Sequence, residues 1–191
     1  AGQCGLSTGR KWKNDMKQRK EQQIDEKFWI TALCIAVTVI SLAGCGTASG
    51  SSAKNQQSGY IFTTGDQQIY INEDAQTVTD ALGAPSGGTY EALSCAFEGK
   101  DTFYYYDGFT LQTYEKDGKK YIYTITLEDD TVNTAEGIKI GDSFAAVTKA
   151  YGTDYVAAGN TYAYSKDKMT LTFVMNNDKV STISYSLLTS K

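Results

Sequence analysis

The chain has 191 residues, with 18 basic and 22 acidic side chains and no histidine. From Cys45 onward it contains 11 lysines, no arginine and 18 acidic residues, a net charge of −7. An acidic, arginine-free segment is a poor nucleic-acid binder, because phosphate contacts depend on clustered Lys and Arg. The absence of histidine removes the commonest general base and metal ligand. We therefore predict a protein that is not an enzyme, with no catalytic residue, metal or cofactor.

The N-terminal part of the chain has the features of an export signal. A segment containing Lys17, Arg19, Lys20 and Lys27 precedes FWITALCIAVTVISLAG (28–44), which has 17 residues and no charge. Such a run is at the short limit for a bilayer span, which needs about 20 apolar residues. Charged, apolar and small residues in this order are typical of a secretory signal peptide, which we assign to 16–44. We interpret 1–15, ahead of the opening MKQRK, as an over-extended leader.

The apolar run ends in Leu42-Ala43-Gly44-Cys45, which matches the lipobox of bacterial lipoproteins. Ala43 and Gly44 are small enough for a narrow peptidase site, and the thiol of Cys45 supplies the nucleophile for lipid transfer. We predict lipidation at Cys45 and attachment to the extracytoplasmic face of a bacterial cell membrane. The alternative is an uncleaved membrane anchor with a chance cysteine.

The next segment, 45–59, is rich in Gly, Ser and Gln and is expected to be a flexible tether. A folded domain is predicted for 60–188, a common domain size. Cys95 is the one cysteine left if Cys45 is lipidated, so no intrachain disulfide is expected in the processed chain. Alternation in Leu93–Phe97 predicts a strand with Cys95 on its apolar face as a small buried hydrophobe.

Two short helices are predicted from INEDAQTVTDALG (71–83) and IGDSFAAVTKAYG (140–152). Each segment offers polar capping residues, an apolar stripe and a terminal glycine. The stripes are Ala75, Val78 and Leu82 in the first helix, and Phe144, Val147 and Tyr151 in the second. Helices this short are not stable alone, so each must dock onto another element.

Alternating, β-branched and aromatic segments follow both helices and predict strands. They are 91–97, 102–106, 109–115 and 120–128 after the first helix, and 161–165, 168–175 and 179–188 after the second. We predict an α+β fold made of two tandem helix-plus-antiparallel-meander repeats, about 69–128 and 138–188, with the short helices packed on a sheet.

The pattern G-I-x-I-G-D-S-x-x-x-V-x-x-x-Y-G (137–152), present in tandem and followed by a meander, resembles the β-lactamase-inhibitor-protein-like fold. Small outer-membrane-assembly lipoproteins of the SmpA/OmlA type share that fold. The run SCAFEG…DGF…TYEKDGKKYI…EGIKIGDS is also similar to small lipoproteins of Gram-positive anaerobes without assigned activity. The resemblance covers roughly 69–188 and implies the fold. It transfers no functional residue, because the family's contact residues do not map onto the motif.

The densest aromatic cluster is the candidate binding surface, because tyrosine is enriched at interfaces. It comprises Tyr104, Tyr105, Tyr106, Phe109 and Tyr114. Neighbouring tyrosines of a strand point to opposite faces, so at least one of the three should lie on an outer face. The alternative is ordinary sheet packing, in which aromatic residues are common.

The acidic run Glu128-Asp129-Asp130, with Glu136 and Asp142 downstream, raises the alternative of a calcium site. The alternating ligands and central glycine of an EF-hand are absent from it, so no metal site is predicted.

We expect a membrane-anchored lipoprotein with a non-enzymatic binding or scaffolding domain whose partner is a protein or a cell-wall component. One alternative is an inhibitor of an extracellular hydrolase, either a β-lactamase or a peptidase, which rests on the resemblance alone. A remote alternative is an envelope enzyme that uses carboxylates.

Overall fold

A computed structural model describes residues 59–189. The predicted signal peptide, the lipobox with Cys45, and the tether up to residue 58 lie outside the described residues. In chain order the elements are β1 (Phe62–Thr64), β2 (Gln67–Ile69), α1 (Ala75–Leu82), β3 (Thr89–Leu93), β4 (Lys100–Tyr106), β5 (Phe109–Lys116), β6 (Lys119–Leu127), α2 (Phe144–Tyr151), β7 (Val156–Ala158), β8 (Thr161–Lys166), β9 (Met169–Asn176) and β10 (Lys179–Leu187).

Eight of the strands form one antiparallel sheet in the order β3-β4-β5-β6-β10-β9-β8-β7, and β1 and β2 form a separate hairpin. The two meanders join where β6 pairs with β10, and Ile125 is the direct partner of Tyr185 there. This pairing gives hydrogen-bond partners to two strands that would otherwise be exposed sheet edges.

The predicted α+β architecture of two tandem helix-plus-meander repeats is therefore wrong. The protein is mostly β, with one large sheet, one small hairpin and two helices of eight residues each in the described part. The sequence prediction treated each meander as part of its own unit. The backbone groups of β6 and β10 instead pair with each other and merge the strands into a single layer.

Both helices begin where the sequence predicts, because their caps are local. Asp74 accepts hydrogen bonds from the backbone N–H of Gln76 and Thr77 at 3.0 and 3.3 Å. Ser143 accepts one from the N–H of Ala146 at 3.3 Å. Both helices end at a glycine with positive φ, Gly83 at 75° and Gly152 at 81°. Residues with a side chain rarely adopt this backbone conformation.

The inner face of the sheet is apolar and forms the core. Cross-strand partners lie on the same face, and they line up in two inner rows: Tyr104, Leu111, Ile125, Tyr185, Leu171 and Tyr164 in one, and Tyr106, Phe109, Leu127, Ile183, Phe173 and Tyr162 in the other. The same hydrophobic cluster includes Val78 of α1, Val147 of α2, and Phe62 and Ile69 of the hairpin. Both helices and the hairpin thus pack on this face.

Candidate functional site

The outer face of the sheet has a different chemistry from the inner face. Its cross-strand partners form two outer rows: Tyr90, Phe103, Gln112, Thr124, Ser186, Thr170 and Ser165 in the first, and Tyr105, Thr110, Thr126, Ser184, Thr172, Ala163 and Val156 in the second. Neither row contains a charged residue. With strands spaced about 4.8 Å apart, seven strands give a row roughly 29 Å long.

The predicted aromatic surface is divided between the two faces. Tyr104, Tyr106 and Phe109 lie on the inner face, where Phe109 is 3% exposed and Tyr106 stacks on it with ring centroids 5.1 Å apart. Only Tyr105 and Tyr114 lie on the outer face, and Tyr114 is 6% exposed. The five residues therefore do not form one surface, and the prediction is corrected for the three inner residues. Alternation within β4 separates Tyr105 from its two neighbours.

A β-bulge creates a different group of aromatic side chains on the outer face. Gln112 pairs with Thr124 and Thr113 pairs with Ile122, which leaves Tyr123 as the extra residue of β6. The bulge reverses the alternation, so that Ile122 joins the core while Tyr123 turns outward. We define the aromatic cluster as Phe97, Tyr114, Tyr121 and Tyr123.

The rings of the aromatic cluster contact one another closely. Phe97 stacks on Tyr114 with centroids 4.2 Å apart, and its edge contact with Tyr123 is at 4.9 Å. Tyr121 lies 5.8 Å from Tyr114. The hydroxyl of Tyr114 donates to Oδ1 of Asn72 at 2.7 Å, which fixes the ring that supports Phe97.

Phe97 is presented by a loop, 94–99, that closes on itself. The backbone N–H of Ser94 donates to the carbonyl of Gly99 at 3.1 Å, and the Ser94 hydroxyl accepts from the N–H of Phe97 at 3.0 Å. A side chain at Gly99 would lie 3.2 Å from Oε2 of Glu115. Glycine thus lets Glu115 lie against this loop.

The same loop corrects the prediction for Cys95. Strand β3 ends at Leu93, which is 80% exposed, so no strand carries Cys95 to an apolar face. Cys95 is exposed and disulfide-bonded. It is not the buried, unbridged thiol that the sequence predicts.

A cavity of about 500 Å³ lies between the 94–99 loop and the β5–β6 hairpin. Its walls are Phe97, Glu98, Gly99 and residues 114–118. Neither Glu98 nor Glu115 forms an ion pair with a described residue, whereas Glu91 pairs with both Lys100 and Lys120. A volume of this size suits a small ligand.

Asp101 lies beside the aromatic cluster on the outer face and is 7% exposed. The Nε2–H of Gln112 donates to its Oδ2 at 3.0 Å, and its Oδ1 has no hydrogen-bond partner among residues 59–189. The hydrogen bond between Asp101 and Gln112 connects the aromatic cluster to the first outer row, because Gln112 belongs to that row.

The hydroxyl groups of Tyr105 and Tyr114 stay protonated at neutral pH. Burial, followed by the nearby carboxylate of Glu128, raises the pKa of Tyr105 above its usual value. Burial, followed by Tyr121, raises the pKa of Tyr114. These side chains can therefore donate hydrogen bonds throughout the physiological range.

Sequence reasoning missed Phe97, Tyr121, Tyr123, Asp101 and Gln112 as site residues. The turn signal Glu98-Gly99 could have indicated that Phe97 belongs to a loop. The bulge that turns Tyr123 outward has no comparable signal, because YIYTITL alternates without a break.

Within the described range, no group of three or more His, Cys, Asp or Glu side chains could hold a metal ion. Two acidic residues downstream of the acidic run have local partners. Glu136 accepts a hydrogen bond from the hydroxyl of Tyr151, and Asp142 accepts one from the N–H of Lys139 at 2.9 Å. None of the helices within residues 59–189 has the length and apolar character needed to cross a membrane.

No family model and no curated protein matches this sequence. Among solved structures, the chain is similar to an extracellular protein containing an SCP domain from Bacillus anthracis strain Ames, with a TM-score of 0.37 and 11% sequence identity. The match covers 78% of this chain and 50% of the other, so the chain spans about half the length of that structure. A likeness this distant assigns neither a fold family nor a function.

Proposed function

We propose that this chain is a lipid-anchored, extracytoplasmic binding protein without enzymatic activity, and that the outer face of its sheet contacts a protein or cell-wall partner. One observation carries this proposal. Both described helices and the hairpin pack on the inner face, while the outer face carries two uncharged rows that cross seven strands.

The composition of the outer rows supports a role in binding. An outward face of a sheet commonly carries Lys and Glu, which keep it solvated and discourage association. Here, apart from Ala163 and Val156, the same positions hold Ser, Thr, Gln and aromatic residues. The polar side chains among them offer hydrogen bonds without the desolvation cost of a charge. Tyr105 and Tyr114 remain candidates for this surface.

Sequence features support the location. The lipobox, the apolar run before it and the polar tether after it have the order expected of an anchored and exported domain. The net charge of −7 from Cys45 onward and the absence of histidine support a binding role over nucleic-acid binding or acid–base catalysis.

The binding surface can be tested by co-sedimentation of the full chain, in detergent, with envelope fragments of the producing bacterium. Ser184→Arg and Thr172→Arg place a long charged side chain in the middle of the outer face and should abolish co-sedimentation. Ala145→Arg introduces the same side chain at an exposed position of α2 and should leave it unchanged. If the first two variants fold and still co-sediment, the outer face is not the binding surface. Inhibition of a β-lactamase or secreted peptidase by the full chain would instead favour the inhibitor alternative.

The anchor can be tested separately with a labelled fatty acid and membrane fractionation. Cys45→Ala should remove both the label and the membrane association. Cys34→Ala, within the same apolar run but outside the lipobox, is the matched control and should retain both. Labelling that persists in Cys45→Ala would show that the lipobox interpretation is wrong.

A further inference from the structure

The described part of the chain begins beside the turn that joins β8 to β9. The backbone N–H of Tyr60 donates to Sδ of Met169 at 3.0 Å, and a side chain at Gly59 would come within 2.5 Å of the same sulfur. Met169 is the first residue of β9 and directly follows Lys166-Asp167-Lys168. A membrane attachment upstream of Gly59 therefore reaches the domain at this end of the sheet, which we call the anchor end.

The β5–β6 turn lies at the anchor end as well. Thr124 of β6 pairs with Ser186, and the next residue of β10, Leu187, pairs with Met169. The N-terminal residues of β6 therefore point toward the anchor end, and the turn that precedes them lies there. The β5–β6 hairpin projects roughly 10 Å further than the β8–β9 turn, because about three more residues of β6 extend beyond the pairing with β10.

Exposed lysines mark both of these turns. The turn lysines form no ion pair with another residue of 59–189. They are Lys116 and Lys119 at the β5–β6 turn, and Lys166 and Lys168 at the β8–β9 turn. Asp117, Asp167, Glu98 and Glu115 are the four carboxylates close to these lysines in the chain or on the cavity wall, so the charges of this end nearly cancel.

The opposite end of the sheet is acidic. Asp107 lies in the β4–β5 turn, and Glu128-Asp129-Asp130 follows β6 beside it, where the N–H of Glu128 donates to the carbonyl of Gly108 at 2.7 Å. Segments 107–108 and 128–130 hold four acidic residues and no lysine. The domain thus carries its negative charge away from the anchor end, and an anionic surface repels the acidic end more strongly.

Exposed apolar side chains are a second feature of the anchor end. Leu93, at the end of β3, is 80% exposed, and Leu188, directly after β10, is 49% exposed. Leu93 pairs with Lys100, and the N–H of Leu188 donates to the carbonyl of Lys168 at 2.8 Å. Leucine beside lysine is typical of a contact with the membrane interface, where the apolar side chain enters the headgroup layer and the ammonium group meets lipid phosphates.

We propose that the anchor end rests on the surface of an anionic lipid bilayer, with the turn lysines at the headgroups and Leu93 and Leu188 in the interface. This inference rests on the proposed function, because it needs a membrane attachment upstream of Gly59. Each lysine near such a surface contributes about 1 kcal/mol. Attachment keeps the domain at a high effective concentration near the bilayer, so a weak contact is sufficient. The outer face then stands away from the bilayer, open to its partner.

The first test compares the full chain in nanodiscs of phosphatidylcholine alone with the same chain in nanodiscs that contain an equal part of phosphatidylglycerol. Acetylation of each lysine by an uncharged amine reagent is followed by mass spectrometry. The four turn lysines should react about threefold or more slowly in the anionic discs, because lipid phosphates hold their ammonium groups. Lys139 and Lys179 are internal controls: Gly141 bonds to Val180 at the opposite end, so both lysines should react equally in the two kinds of disc.

The second test measures the contact of Leu93 with lipid by fluorescence. Trp12 and Trp29 both precede Cys45, so a chain processed at Cys45 contains no tryptophan. In anionic vesicles that contain brominated phosphatidylcholine, Leu93→Trp should be quenched beyond the level of the unsubstituted chain. Ala145→Trp is the matched control, since it is exposed in the first turn of α2, and should not be quenched.

Charge variants of the Leu93→Trp chain test the lysines directly. Quenching should be lost when the turn lysines are replaced together, and it should persist when Lys139→Gln and Lys179→Gln are combined. The combined turn variant consists of Lys116→Gln, Lys119→Gln, Lys166→Gln and Lys168→Gln. Far-UV circular dichroism establishes that each variant is folded.

The proposal is overturned if the turn lysines of the reconstituted chain react equally in both kinds of disc. It is also overturned if Leu93→Trp is quenched no more than Ala145→Trp, or if the combined turn variant is quenched as before. Each of these results would leave the anchor and the outer-face partner of the proposed function intact. A full chain that does not associate with the discs at all would instead reject the membrane attachment and this inference together.

Discussion

The ring of Phe97 lies on the ring of Tyr114, with centroids 4.2 Å apart and planes inclined by 24°. A loop residue is thereby fixed to a strand residue seventeen positions further along the chain. Tyr123, 4.9 Å from Phe97, holds the ring from a second side. The outer face thus ends in an aromatic cluster whose parts come from the 94–99 loop, β5 and β6.

Removing the Phe97 ring should destabilise the protein. Phe97→Ala loses one stacked and one edge-to-face contact, and aromatic pairs contribute about 0.5–1.5 kcal/mol each beyond burial. We expect the free energy of unfolding in urea to fall by roughly 1–3 kcal/mol. Leu93→Ala, at a position 80% exposed in the same region, should change it by less than about 0.5 kcal/mol. Equal effects would show that Phe97 is not held by its neighbours.

Alanine substitutions at two turn glycines should distinguish the cost of backbone strain from the cost of steric crowding. Gly108 and Gly118 both have positive φ, 82° and 71°. A methyl group at Gly108 would meet Oγ1 of Thr131 at 2.6 Å, whereas nothing lies within 4 Å at Gly118. Gly118→Ala should cost about 1 kcal/mol of backbone strain. Gly108→Ala should cost roughly 1–3 kcal/mol more from overpacking, as measured by chemical unfolding.

The two faces of β9 should respond differently to truncation. Leu171 is fully buried on the inner face, and Leu171→Ala should lower the free energy of unfolding by about 2–5 kcal/mol through lost burial and a cavity. Val174 is half-buried on the outer face, and Val174→Ala should lower the free energy of unfolding by less than about 1.5 kcal/mol. Similar losses would contradict the assignment of the two faces.

Alkaline pH should unfold the protein. Burial raises the pKa of Tyr185 and, with the hydrogen bond to Glu136 as a further cause, that of Tyr151 well above the ordinary value near 10. Below pH about 10 both tyrosines are neutral in the folded and unfolded states, and the full stability is present. Above it the unfolded chain loses protons that the folded protein retains, so stability falls as pH rises.

Phenylalanine variants test the origin of that pH dependence. Tyr185→Phe removes a buried hydroxyl that lacks a partner in the described range, so it should raise stability at pH 7 by about 1 kcal/mol and flatten the loss above pH about 10. Tyr151→Phe should flatten the same loss but lower stability at pH 7, because it breaks the hydrogen bond to Glu136. An unchanged alkaline profile in both variants would show that other groups cause it.

Much of the local structure could be predicted from the sequence. Helix starts at Asp74 and Ser143 and stops at Gly83 and Gly152 depend on hydrogen bonds and φ values a few residues apart. Seven of the strands were also predicted from alternation. The hairpin β1–β2 and the short strand β7 were not, because three-residue strands carry too little pattern.

The site was harder to predict than the elements. Tyr104, Tyr105 and Tyr106 are adjacent in sequence, but alternation sends the middle one to the opposite face from its neighbours. In β6, uninterrupted alternation would place Tyr123 on the same face as Ile125. The bulge opposite Gln112 and Thr113 moves it to the outer face instead.

The sequence by itself determined the acidic, histidine-free composition, the Leu42-Ala43-Gly44-Cys45 motif that predicts lipidation, and the caps of both helices, since each depends on residue identity or on neighbours in the chain. The tertiary structure alone decided that β6 pairs with β10 and makes one sheet, that Phe97 lies on Tyr114, and that one oxygen of Asp101 is buried beside them. Those relationships join residues through pairing register and burial, which local patterns do not encode.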